Sequence, residues 1–463
     1  MRKKWIALVL CAVMAFVLAA CGNNGGGGGG QPQPSGESGQ HETTPPETGG
    51  GGSGSAQGIT DTEILVGNTA ATTGAYATVG VPFNAGMEAA FKEYNDLGGF
   101  DGRSIRLIHY DDGFDAANAV TYTKTLVETD QVFAVVGHFG TNTVGATLDY
   151  LKEKGIPMVY AATGISELYQ EGATGNAKCI FPVQPIYDAE GRVLLARALA
   201  SEEGGKGLGG KKIGVISTTD DAGEGMVAGV KRQAEEGNFD IVYQEVQADA
   251  ADFSAAVTVL KNAGCDVVIL AMNQAPLVKA MNSMRDAEYN CKCITSYVNS
   301  SATTLGDLVA SGAVTDQRPI YTTAWLDTGT DEGMADYMTF ATVMATWEAA
   351  NGIDSTDPAQ TYVLNSYAMA GYIAGKVFIQ GLDKVKENGA ELTWDSYINA
   401  LEEIDVQIPM GGQISYKNGD RLGITDLALN MISLEPDAET GMYYLITVDH
   451  ISPLDEIWAT VAQ

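Results

Sequence analysis

Residues 135–146 read VVGHFGTNTVGA, and the succession of residue types in this stretch decides the fold. A β-branched run ends on glycines and passes through Thr141, Asn142 and Thr143. It then enters a segment in which Val144, Leu148 and Leu151 share one helical face. Strand, tight turn and amphipathic helix in that order form the repeating unit of a parallel sheet covered by helices.

The same alternation recurs on both sides. Strands are predicted over 63–69, 104–110, 132–139 and 156–162, and between the first two Met87, Ala90, Phe91 and Tyr94 repeat at helical spacing, as Ala119, Tyr122, Leu126 and Val127 nearly do. After Pro182 and Pro185 a second series begins, with strands over 212–217, 241–246, 266–272 and 293–298 and a helical face of Met226, Val230 and Ala234. The glycine-rich 204–210 stretch reads as an exposed loop before its first strand. The chain is therefore α/β, two open sheets in tandem, and ligands of such sheets bind beyond the carboxyl ends of the strands where strand order switches.

Those strand ends carry the candidate contacts. Thr141 stands at a helix N-terminus, where hydroxyl and N–H groups suit a carboxylate, and Thr163 and Gly164 hold the matching place in YAATGISEL, 160–168. Each threonine taken singly is explained by helix capping; two on one cleft rim favour a ligand. In the second series Asp220 and Asp221 lie at a strand end, either as cap or as ligand contact. Trp325, Tyr362 and Tyr367 are either core or cleft lining.

The formal charge of −31 repels phosphate backbones, so no nucleic acid partner is expected. Four of the six cysteines, Cys179, Cys265, Cys291 and Cys293, belong to the folded part, too few for a disulfide-built fold. Cys291 and Cys293 share a strand face without the partners a metal needs. Gly223, Gly225 and Gly229 make only a loose dinucleotide pattern, explained by a turn and helix packing, and His109 with Asp111 reads as a strand-end turn held by Asp111 and Asp112. With no GxSxG elbow or phosphate loop, neither catalytic residues, cofactor nor metal are expected.

Together, residues 72–112, VVGHFGTNT, GIPMVYAATGISEL and residues 213–237 resemble the periplasmic leucine/isoleucine/valine-binding family, the type I solute-binding proteins of ABC importers. The resemblance runs from about Thr62 to the C-terminus. It implies two Rossmann-like lobes joined by three hinge crossings near 180, 320 and 430: 58–180 with 320–430, and 181–319 with 431–463. It further implies a ligand carboxylate at Phe139, Gly140 and Thr141, polar contacts from Ala162, Thr163 and Gly164, and capture by lobe closure without catalysis. Where relatives place a glutamate for the ligand ammonium, this chain has Val298 beside Asn299, and Asn273 and Gln274 stand where some relatives carry aromatic rings. Either Asp220 or Asp221 takes over the ammonium, or the ligand has none. A small solute, an ABC permease and ATPase are the implied partners and a monomer the expected state; the rival role is a ligand sensor in a signalling system.

At the N-terminus Arg2, Lys3 and Lys4 precede an apolar run and Leu18-Ala19-Ala20-Cys21, which resembles the bacterial lipobox. Residues 1–20 read as a signal peptide and Cys21 as the lipidated anchor, holding the protein at the outer face of the cytoplasmic membrane. Residues 22–55 lack every large apolar residue, so 21–57 reads as a tether with a reach of about 30 Å.

Overall fold

The computed structural model describes residues 57–357, 360–438 and 441–461. The expected signal peptide, Cys21 and nearly all of the tether lie outside them. Gln57, at the end of the expected tether, donates to the carbonyls of Val127 and Val132 at 3.0 Å each.

The first sheet holds β1 (Glu63–Ala70), β2 (Ser104–Asp111), β3 (Ala134–Val136), β4 (Met158–Val159) and β5 (Ile180–Phe181), all parallel, in the order β2-β1-β3-β4-β5. Two of these strands are far shorter than predicted. Gly137 at φ +67° and Tyr160 at φ +57° leave the extended region directly after β3 and β4, which turns Phe139–Gly140 and Ala162–Thr163 from strand into rim.

The connecting helices are α1 (Ala77–Asp96), α2 (Ala116–Lys124) and α3 (Thr141–Lys154). Each arises where apolar residues recur every three or four positions, and α3 ends on Gly155 in the left-handed region at φ +69°.

The second sheet begins after α4 (Tyr187–Leu199). Its parallel part comprises β6 (Ile213–Thr218), β7 (Ile241–Val246), β8 (Val267–Ala271), β9 (Lys292–Thr295) and β10 (Ile320–Ala324), in the order β7-β6-β8-β9-β10. Both sheets thus switch direction beside their first strand, the arrangement that opens a ligand crevice. The glycine-rich 204–210 stretch is only partly exposed, since Leu208 is buried and its N–H reaches the Arg197 carbonyl at 2.8 Å.

Helices α5 (Asp221–Gly237), α6 (Ser254–Ala263), α7 (Gln274–Asp286) and α8 (Ala302–Ala310) cover this sheet. Alternate strand residues serve opposite cores: Val215, Ile269 and Ile294 pack with Leu194 and Val230, while Ile216, Val268 and Leu270 pack with Leu260 and Leu277. Met226, Val230 and Ala234 are all buried. Gly223 and Gly229 approach the Thr218 and Asp188 carbonyls so closely that a Cβ would collide with either, which accounts for these glycines by packing.

Beyond β10 the chain runs through α9 (Asp331–Ala350), α10 (Ser366–Glu387) and α11 (Trp394–Glu403), then the hairpin of β11 (Asp405–Ile408) and β12 (Gly412–Ser415). This segment packs beside the first sheet. Gly86 of α1 and Gly371 of α10 allow backbone-to-backbone approach, and the Trp394 indole N–H donates to the Phe133 carbonyl at 2.7 Å.

Finally β13 (Leu427–Ile432) and β14 (Leu445–Ser452) add to the second sheet antiparallel, making it mixed where a parallel one was predicted, and α12 (Leu454–Trp458) follows. The residues 320 and 430 fall within β10 and β13, both strands of the second sheet; the chain passes between the two sheets at 182–186, 325–330 and 420–426. Among the described residues no helix is long and apolar enough to cross a membrane.

Candidate ligand-binding cleft

At the rim of the first sheet the Phe139 and Ala162 backbones pair directly, and the Gly140 N–H reaches the Ala162 carbonyl at 3.4 Å. Gly140 takes φ +109°, a value open to glycine, and a Cβ there would meet the Thr143 hydroxyl. Helix α3 therefore starts without a side-chain cap, leaving its first-turn N–H groups without partners in the helix.

Beside that end the Thr163 hydroxyl donates to the Thr141 hydroxyl at 3.2 Å, and Thr141 lies 3.3 Å from the Tyr187 hydroxyl. All three side chains are buried. Tyr187 opens α4 on the side of the second sheet, and its N–H donates to the Gly164 carbonyl at 2.8 Å, where a Cβ would strike the Tyr187 ring. Three hydroxyls and an open helix end converge where the two halves meet, a donor-rich place for an anion.

Aromatic rings form the neighbouring wall. Tyr76 stacks on Phe114 with centroids 4.0 Å apart, Phe114 lies 6.2 Å from Phe139, and Tyr187 stacks on Tyr297 at 6.4 Å. Burial pushes the Tyr76 phenol up to about 12, with Asp220 and Tyr187 adding to the shift.

The two aspartates differ. Asp220 caps α5, its Oδ1 accepting from the Gly223 N–H at 2.9 Å and the Thr218 hydroxyl at 2.8 Å. Asp221 is exposed, and its Oδ2 stands 3.9 Å from the position a Cβ would take on Gly145 of α3. Desolvation, then Glu167 and Asp220, raise the Asp221 carboxyl above its usual value.

In the second half β9 stops at Thr295, short of its predicted end. Ser296 caps a turn of 3₁₀ helix over Tyr297–Asn299, accepting from the Val298 N–H at 3.2 Å, so Val298 and Asn299 lie in a turn rather than a strand. The Val298 carbonyl receives Gln274 Nε2 at 2.6 Å and the Tyr367 hydroxyl at 2.9 Å. Asn299 is buried and donates to the Met272 carbonyl and Thr295 Oγ1 at 2.9 and 2.7 Å. The Thr295 hydroxyl donates to Leu270, so the Asn299 amide is oriented by two acceptors and its Oδ1 has no partner.

The Trp325 ring is 6.2 Å from Tyr160 at the second passage between sheets, while the Tyr362 N–H is held by Glu348 at 2.5 Å. Asp111 gathers the N–H groups of Thr72, Thr73 and Gly113, and Asp112 that of Phe114, closing the strand-end turn. Cys179, Cys265, Cys291 and Cys293 are buried free thiols, and Cys291 precedes β9 rather than lying within it.

A family model described as periplasmic binding protein matches residues 63–433. The chain belongs to this family. It is 28% identical over 319 residues to Leu/Ile/Val-binding protein homolog 1 of Brucella abortus, covering 64% of this chain and 81% of that protein. It is 27% identical over 223 residues to an amino acid binding protein of Pseudomonas aeruginosa, covering 47% of this chain and 57% of that protein. The chain thus spans little more than half the length of that relative.

Solved structures share the fold at low identity. A fatty acid ABC transporter substrate-binding protein from Thermomonospora curvata superposes with a TM-score of 0.71 at 17% identity, covering 88% of this chain and 97% of that one. A branched-chain amino acid ABC transporter protein from Thermus thermophilus with bound valine gives 0.66 at 16%, covering 86% and 98%. A solute binding protein from R. palustris in complex with benzoate gives 0.65 at 18%, covering 84% and 98%.

Tyr76, Tyr187, Glu190 and Tyr297 were not anticipated from sequence. Tyr76 stands in the TTGAY segment of the family resemblance, and Tyr187 comes two residues after Pro185; those positions were the available signals.

Proposed function

We propose that this protein is the solute-capturing subunit of an ABC importer, closing its two lobes over a small carboxylate, with branched-chain amino acids first among the candidates. The observation that carries the reading is the convergence of Thr141, Thr163 and Tyr187 hydroxyls on the uncapped N-terminus of α3 between the two sheets. Binding energy goes into closure, because a ligand gripped from both lobes has higher affinity for the closed state. Phe139, Gly140, Ala162 and Gly164 shape the carboxylate end; Gln274 and Asn299 border the other. The passages at 182–186, 325–330 and 420–426 act as hinges.

A second reading has its own support: the ligand carries no amine. Asp220 is committed to the helix cap, the Val298 carbonyl already has two donors, and a buried ammonium without a carboxylate costs several kcal/mol. Exposed Asp221 is the remaining partner for an amine. The protein is a monomer that delivers its ligand to a permease and its ATPase, held outside the cytoplasmic membrane by lipid on Cys21.

Thermal shift with L-leucine, L-valine, benzoate and octanoate tests both readings. A true ligand at a hundred times its Kd stabilises by about 2.7 kcal/mol. A shift with leucine or valine supports the amino-acid reading, a shift with benzoate or octanoate alone supports the second, and no shift from any small carboxylate counts against the site.

A further inference from the structure

Glu190 of α4 is fully buried. Its Oε1 accepts from the Tyr297 N–H at 2.8 Å and from the Thr323 hydroxyl, and its Oε2 from the Ser296 hydroxyl at 2.6 Å. Among the described residues its partners are these hydrogen-bond donors, with no cation among them. An unpaired buried charge is rare unless its lone pairs are fully used, so what these three donors hold in place matters.

They hold the turn after β9. Ser296 passes the contact on, its oxygen accepting the Val298 N–H while its proton goes to Glu190. The turn presents the Val298 carbonyl to the Tyr367 hydroxyl at 2.9 Å, and the Ser300 carbonyl receives the Ser366 hydroxyl at 2.8 Å. Ser366 and Tyr367 open α10, which packs on α1 beside the first sheet, whereas 296–300 belongs to the second half. The Tyr297 hydroxyl also donates to the Pro185 carbonyl at 2.8 Å, in the first passage between sheets, and Thr323 lies just before the second.

We propose that Glu190 is the positioning residue for closure: its carboxylate fixes the 296–300 turn so that the Val298 and Ser300 carbonyls meet Tyr367 and Ser366 across the cleft. The inference rests on the proposed function for its consequence, because only a closing binding protein needs such a latch. Charge matters here, not bulk. The Tyr297 N–H can only donate, and Ser296 gives its proton to Glu190 while accepting the Val298 N–H, so both carboxylate oxygens face donors; a glutamine amide fits only if Ser296 turns that proton away and accepts on its second lone pair. The isosteric amide of glutamine would turn an NH₂ toward one of them.

Burial raises the Glu190 carboxyl to about 7, while its three hydrogen bonds pull the other way. The titratable groups facing it are Tyr187 on its own helix and Tyr297 and Tyr169 from neighbouring elements, all shifted upward by burial and so neutral near pH 7.

The test is hydrogen exchange by mass spectrometry on the ligand-free protein. In Glu190→Gln at pH 8 the amides of 296–300 exchange at least fivefold faster, while β6 and β8 keep their protection and the melting temperature does not fall. Loop protection unchanged in this variant overturns the proposal, since space-filling alone would survive the isostere. Should the variant fail to fold, wild type decides: loop exchange, corrected for the intrinsic rate, rises several-fold from pH 8 to 5.5 with a midpoint near 7, and a flat profile overturns the proposal. Titration of wild type with L-leucine, L-valine, benzoate and octanoate runs in parallel, so failure to bind any of the four defeats the cleft reading while exchange still judges Glu190.

Discussion

Thr141 and Thr163 show how little a single residue reveals in isolation. Each side chain by itself is a common helix-end threonine; 3.2 Å apart and buried beside Tyr187, they become a donor cluster. Thr141→Ala combined with Thr163→Ala is expected to weaken carboxylate binding by about 2–3 kcal/mol, on roughly 1–1.5 per hydrogen bond. Isothermal titration with whichever carboxylate shifts the melting temperature measures this, and undiminished affinity excludes the pair. Both threonines were legible as candidates because hydroxyls beside a glycine at a strand end have a known chemistry. Tyr187 and Glu190 were not: their partners lie 46 and 107 residues away along the chain, and apart from Tyr187's place just after Pro185 nothing local marks either for such a contact.

At the scale of elements, His138 pins α3 to the first sheet. Its Nδ1 accepts the Thr69 N–H at 3.3 Å, so the proton sits on Nε2, which faces Thr147 of α3 at 2.8 Å. Burial lowers this imidazole to about 4 from the ordinary 6.5. Between those values the unfolded chain binds the extra proton, so the contribution of His138 is present above pH 6.5 and lost as pH falls toward 4. The loss is about 3 kcal/mol, from ~1.4 per pKa unit. For global unfolding Glu190 acts in the opposite sense, its folded pKa being raised by burial: this contribution is present below 4.5 and lost as pH rises through about 7, whereas the turn, released while Glu190 stays buried, is held by hydrogen bonds to the ionised form and loosens on acidification. Denaturation of wild type against His138→Gln isolates the first effect. Their stability difference should shift against wild type on acidification, and a difference constant from pH 7 to 4 refutes the assignment. Element order and type followed from periodicity, which reports which face is buried. Strand ends did not, because Gly137, Tyr160 and Ser296 stop β3, β4 and β9 through backbone conformation and capping that apolar pattern does not encode.

For the whole molecule, Cys21→Ala is expected to move the protein from the membrane fraction to the soluble one on cell fractionation; retention of the variant with membranes refutes the lipid anchor. The sequence by itself determined the α/β class, the tandem sheets and the family, and it pointed to the strand ends as the candidate site, since alternation of strand and helix patterns and short glycine-threonine turns are local properties of the chain. Tertiary structure alone decided that β13 and β14 join the second sheet antiparallel, that α10 returns to lie on α1, and that Tyr76 stacks on Phe114 and Tyr187 on Tyr297. It also decided that Asp220 caps a helix while Glu190 accepts from Ser296 and Tyr297 in the turn that faces Tyr367. The physical reason is range: hydrophobic period and turn chemistry act over a few residues, whereas desolvation and hydrogen-bond partnership depend on what the folded chain brings from far away.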